Sequence, residues 1–77
     1  MNDLKDRINT KYRLYKQRAR YNNGVVFLSK NELESFEGLI DSYSAAGGNS
    51  FVHKDIQPDI MNWVVVSEEE IAKKVKN

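Results

Sequence analysis

Val25-Val26-Phe27-Leu28-Ser29-Lys30-Asn31-Glu32-Leu33 is the junction that decides the fold. The four apolar residues at its start, with Val25 and Val26 β-branched, read as a short strand. Ser29 follows as an N-cap and Glu32 lies three residues on. That is the spacing of a capping box, in which each side chain satisfies an orphan backbone donor at the helix start. Leu28 and Leu33 take the N′ and N4 positions of a hydrophobic staple. The helix carries Leu33, Phe36, Leu39, Ile40 and Tyr43 on one face and runs to about Ser44. Gly38 lies inside it at a cost of about 1 kcal/mol relative to Ala, which a close packing contact would explain. Gly47 and Gly48 end the element.

The same device recurs near the C-terminus. Trp63-Val64-Val65-Val66 is followed by Ser67, Glu70 and Ile71, which repeat the strand, cap, capping-box Glu and staple residue. The rest of the two units does not match, so shared local physics explains the likeness better than duplication. The final helix covers about residues 68–76, with Glu68, Glu69 and Glu70 first and Lys73, Lys74 and Lys76 last, as the helix dipole favours. Between the units, Ser50–Ile56 is a weaker strand candidate, and Gln57-Pro58-Asp59 reads as a turn. Residues 51–56 and 62–66 are expected to pair as an antiparallel hairpin. Neither Val25–Leu28 nor Trp63–Val66 alternates, and such strands are usually covered on both faces.

Residues 2–21 read as a long helix. Leu4, Ile8, Tyr12, Tyr15 and Ala19 fall within about an 80° arc of it. Asn22, Asn23 and Gly24 stop it. The expected fold is thus a small α+β single domain over residues 1–77. It has a basic amphipathic helix at 2–21, then a β-α-β-β-α unit over 24–77 with a short mixed three-stranded sheet. The order is α-β-α-β-β-α.

Charge is divided unevenly along this plan. Residues 1–22 hold Lys5, Arg7, Lys11, Arg13, Lys16, Arg18 and Arg20 against Asp3 and Asp6, about +5, while residues 23–77 carry about −4. On the helix these bases form two bands flanking the apolar stripe. One reading is an electrostatic footprint for an acidic protein surface or for phosphates. Aromatics interleave with bases over Tyr12–Tyr21, a pattern that can stack on nucleobases. The plainer reading is that Lys and Arg stems cover the stripe edges and pair with acids from the rest of the chain.

Size and composition bound the rest. Seventy-seven residues with 40% hydrophobic and 30% charged residues suit one compact domain with a small core. The absence of cysteine excludes disulfides, thiolate metal sites and cysteine nucleophiles, and fits a cytoplasmic setting. The charged N-terminus leads us to expect no signal peptide. Apolar runs of four residues are too short to span a membrane.

Catalysis is not expected. The carboxylates Glu32, Glu34, Glu37 and Asp41 decorate a helix, where acids belong, and would need to converge in a pocket to do chemistry. Asp55 and Asp59 match no calcium loop. His53 is the single histidine, and no partners line up with it. Gly47-Gly48-Asn49-Ser50 lacks the Lys-Ser/Thr of a phosphate loop. Trp63 reads first as core, and as an interface anchor only if it is exposed.

The expected role is therefore a small non-catalytic interaction protein, without metal or cofactor. It would bind and modulate another protein, as an accessory regulator or inhibitor of the kind found in bacteria and phages. The contact surface is expected on the first helix at Arg7, Lys11, Arg13, Lys16, Arg18, Arg20 and Tyr21. The alternatives are a nucleic-acid binder using the same helix, and a homo-oligomer assembled through its apolar strands or first helix.

Overall fold

A computed structural model describes residues 2–48 and 52–75. Helix α1 spans Asn2–Arg18 and tightens into a 3₁₀ turn over Ala19–Tyr21. Asn23 (φ 53°) and Gly24 (φ 86°) then take left-handed conformations, and Gly24 N–H closes the turn on Ala19 O at 2.8 Å. Strand β1 is Phe27–Leu28 and helix α2 is Lys30–Ala45. A π-helical turn over Val52–Ile56 leads into α3, Gln57–Ile60. Strand β2 is Val64–Val65 and helix α4 is Glu68–Val75. The molecule is elongated, 39 × 19 × 18 Å.

The capping box at Ser29 is complete. Glu32 N–H donates to Ser29 Oγ at 3.1 Å, and Ser29 N–H donates to Glu32 Oε1 at 3.0 Å. Helix α2 ends in a Schellman arrangement. Gly47 (φ 85°) donates to Ser44 O at 3.1 Å and Gly48 donates to Tyr43 O at 2.8 Å. A Cβ on Gly48 would meet the Tyr43 ring, so this stop tolerates no larger residue without a shift. Gly38 differs from what the sequence suggested. A Cβ there meets nothing within 4 Å, so no close packing accounts for it.

The sheet departs from expectation in strand number and direction. Among the described residues it has two strands, not three, and β1 and β2 run parallel, with Phe27 beside Val64 and Leu28 beside Val65. The expected middle strand is helical over Val52–Ile56; its first residues, Ser50 and Phe51, lie outside the described residues. The physical reason is a stripe at Val52, Ile56 and Ile60, spaced i, i+4, i+8, with Val52 and Ile56 fully buried. Pro58 does not make a turn but sits in the first turn of α3, where its missing N–H costs nothing. With that segment helical, the partner left for β2 is β1. A connection containing helices then makes the pair parallel instead of the expected hairpin.

The α1 stripe docks on the chain's own core. Ile8 and Tyr15 are buried with Val26, Leu28, Phe36, Ile40, Tyr43, Val52 and Ile56, and Leu4, Tyr12 and Ala19 pack against them. Trp63 joins as the centre of a ring cluster. It stacks on Phe36 (5.8 Å) and Tyr12 (6.1 Å) and meets Tyr15 edge-on at 5.8 Å. Side chains alternate across β1, so Val26 and Leu28 face this core and Phe27 faces the other side. There α4 covers it, with Lys74 Nζ 5.7 Å from the Phe27 ring. Both faces of β1 are thus buried, as its unalternating sequence implied, while β2 is exposed. No helix among the described residues is long and apolar enough to cross a membrane.

Candidate functional site

Burial of one α1 stripe turns the opposite face of the helix to solvent, and the seven bases divide accordingly. Arg18 is built into the fold. Its guanidinium donates to both oxygens of Glu32 at 2.7 and 2.8 Å, lies 5.2 Å from the Tyr15 ring, and keeps only 14% of its side chain exposed. It is therefore not the exposed contact residue expected. Its hydrogen bonds hold Glu32 below the usual carboxylate range against the opposing effect of burial, with the Ser29 N–H assisting. The same bonds raise the Arg18 pKa further. One carboxylate thereby completes a helix cap and fastens α1 to the start of α2.

Lys16 is also engaged. Its Nζ donates to Asp59 Oδ2 at 2.9 Å, where the Tyr12 hydroxyl donates too, at 2.9 Å. Burial alone would raise the Asp59 pKa, but the Lys16 and Tyr12 hydrogen bonds outweigh it and lower it. Burial pushes the Tyr12 hydroxyl up to about 12, with Asp59 adding to the shift. The buried Trp63 Nε1 has no partner at full hydrogen-bond geometry among the described residues, yet its N–H helps to hold Asp59 ionised. This cluster pins α3 to α1.

The other candidates stay on the surface. Arg7 makes a 3.5 Å pair with Asp3 one turn earlier, with both side chains well exposed, so the pair adds little. Arg7 and Lys11 line a shallow recess of about 410 Å³ with Asp6, Thr10 and Leu14. Arg13 is exposed. Arg20 and Tyr21 line a second recess of about 200 Å³ with Leu14, Gln17, Arg18 and Val75. Leu14 is common to both recesses and so lies between them.

Two members of this surface were not singled out from the sequence. Leu14 sits about 120° from the centre of the buried stripe, and that off-stripe position was a usable signal. Val75 was not accessible to sequence reasoning, because only tertiary structure brings α4 beside the end of α1. The contact is marked by Lys74 Nζ donating to Asn22 Oδ1 at 3.2 Å.

A third recess, an open cleft of about 550 Å³, lies between α2 and α3. Glu37 and Asp41 line it with Ile40, Gln57, Ile60 and Met61. Two of the acids thus do share a cleft, beside apolar side chains. No group of three or more metal-ligating side chains occurs among the described residues, and the side chain of His53 lies outside them. Comparison of the chain with protein-family models, with curated proteins and with solved structures finds no match.

Proposed function

We propose that the chain is a small non-catalytic binding protein that attaches to another protein and modulates it by occupying its surface. The contact runs along the outer face of α1 and onto the end of α4. One observation carries this reading. Leu14, Tyr21 and Val75 are 49%, 45% and 41% exposed and line one recess edged by Arg18 and Arg20, with Arg7 and Lys11 beyond Leu14. Tyrosine and arginine, which stand beside this apolar strip, are residue types enriched at protein interfaces over the rest of the surface. Phosphate binding is less well served. Lys16 and Arg18 are engaged within the fold, and Asp3 and Asp6 share the outward face.

The test is affinity capture on immobilised chain, with and without nuclease, comparing wild type with Leu14→Asp, Arg20→Glu and a Met61→Asp control. A protein retained by wild type and by the control, resistant to nuclease, absent with Leu14→Asp and weakened with Arg20→Glu is the expected result. Retention unchanged by Leu14→Asp overturns it. Binding of generic DNA or RNA that falls log-linearly with salt replaces it with the nucleic-acid reading.

A further inference from the structure

We infer that the outer edge of β2 is a self-pairing surface, joining two copies of this chain into a continuous four-stranded sheet β1-β2-β2-β1. The hydrogen-bond register carries the inference. Val64 N–H donates to Val26 O and Val66 N–H donates to Leu28 O, each at 2.9 Å. Within a strand, the N–H and C=O of one residue point the same way and those of the next point oppositely. The N–H and C=O of Val65 therefore point away from β1, along an edge that no other described strand covers.

Val64 and Val65 are 43% and 49% exposed. Edge strands are commonly guarded by charge, proline or a bulge; Trp63–Val66 holds no charged residue and no proline.

The register selects a second copy as the occupant. Antiparallel pairing about a two-fold axis at Val65 sets Val65 against Val65 of the second copy. The pair exchanges two N–H···O=C bonds from the residue whose groups face outward. Val64 then faces Val66 of the second copy, and the reverse, giving β-branched cross-strand pairs. Trp63 falls opposite Ser67, and the paired stretch 63–67, which ends where α4 begins at Glu68, holds no charged residue, so no like charges meet. The seam is short, well below the roughly 1,200 Å² of a standard interface, so the dimer is weak and concentration-dependent. It uses a different surface from the α1 face.

Sedimentation equilibrium up to about 1 mM chain tests it. The wild-type mass rises from 8.9 kDa toward twice that value. Val65→Pro deletes the outward N–H alone, and Val65→Lys adds an edge charge; both remain monomeric with wild-type circular dichroism. Val65→Lys decides the matter if Val65→Pro does not fold. Leu14→Asp dimerises as wild type does.

Register is read by crosslinking in this cysteine-free chain. Residue 65 lies about 5.5 Å from its mate, within disulfide reach, whereas residue 61, in the turn that ends α3, lies outside the paired stretch and four residues from the two-fold axis. Oxidised Val65→Cys therefore gives a disulfide dimer, and Met61→Cys does not, although Met61 is 86% exposed. A wild-type chain monomeric at the highest concentration overturns the inference. So does a folded Val65→Lys that dimerises like wild type, or equal crosslinking at 61 and 65.

Discussion

The two strand–cap–helix units use one local device with opposite outcomes. Glu32 N–H reaches Ser29 Oγ at 3.1 Å, and Glu70 N–H reaches Ser67 Oγ at the same 3.1 Å. Yet β1 and Ser29 are buried and α2 places Phe36, Ile40 and Tyr43 in the core, while β2 is exposed and α4 buries no residue. Capping decides where each helix starts, not how firmly it is held. The difference comes from α1, whose apolar stripe and Arg18 both fall on the first unit. The second unit reaches the core through Trp63 and otherwise rests on β1 by two strand residues and one helix face, which leaves its outer edge and its last turn available for contact.

Truncation of the two helices should separate the units most widely. Phe36 is fully buried, edge-on to Tyr15 and stacked on Trp63. Phe36→Ala is expected to cost about 3–5 kcal/mol, most or all of the stability of so small a domain. Ile71→Ala in α4, whose side chain is only half-buried, should cost about 1 kcal/mol. Urea unfolding followed by tryptophan fluorescence measures both. Similar losses for the two would mean that the second unit carries as much of the core as the first.

Acid should reach the first unit through Glu32. Its pKa is lowered in the fold, so unfolding at acid pH takes up a proton. The stabilisation is complete above the ordinary value of 4.5 and drains as pH falls through the lower folded value. Asp59 follows the same sign. At the alkaline end the sign reverses. Tyr12 is raised from 10.0 to about 12, so its contribution is whole below pH 10.0 and is lost as pH rises through about 12. Glu32→Gln should lower stability at neutral pH and flatten the acid limb, and Tyr12→Phe should flatten the alkaline one. Urea midpoints measured across pH decide both.

What was legible in the chain follows the same division. The cap at Ser29, the stops at Asn23-Gly24 and Gly47-Gly48, and the α1 stripe are local or periodic signals, and each is present as read. In the 52–60 segment two signals conflict: Pro58 favours a turn, whereas Val52, Ile56 and Ile60 keep helical spacing, and burial of that stripe prevails. Strand pairing is not legible because proximity in sequence favours the 51–56 segment as the partner of β2, whereas the fold pairs β2 with the distant β1. The candidate surface was half visible. Its bases and Tyr21 stand in one run of sequence, but Arg18 and Lys16 find their acids 14 and 43 residues away. No periodicity reports a pairing at that distance.

The caps offer a smaller and cleaner contrast. Ser29→Ala removes the Oγ that accepts from Glu32 N–H at a buried helix start, while the bond from the residue 29 backbone N–H to Glu32 Oε1 is retained. A loss of about 1–2 kcal/mol is expected, against about 0.5–1 kcal/mol for Ser67→Ala at an exposed start. Equal losses would show that the caps act through helix propensity alone, independent of burial.

Gly38 gives the finest test, because it changes helix propensity in the first unit and nothing else. A Cβ at this position meets no atom within 4 Å, and the residue is exposed on α2. Gly38→Ala should therefore stabilise the domain by about 0.5–1 kcal/mol, by lowering the backbone entropy lost on folding. That gain is small beside the loss expected at Phe36, as it must be if tertiary load holds α2 in place. A rise in the urea midpoint with an unchanged slope is the expected result. A loss of stability would mean that the glycine serves the fold in a way open space does not require. A loss of partner binding with stability intact would mean that the exposed face of α2 belongs to the interface as well.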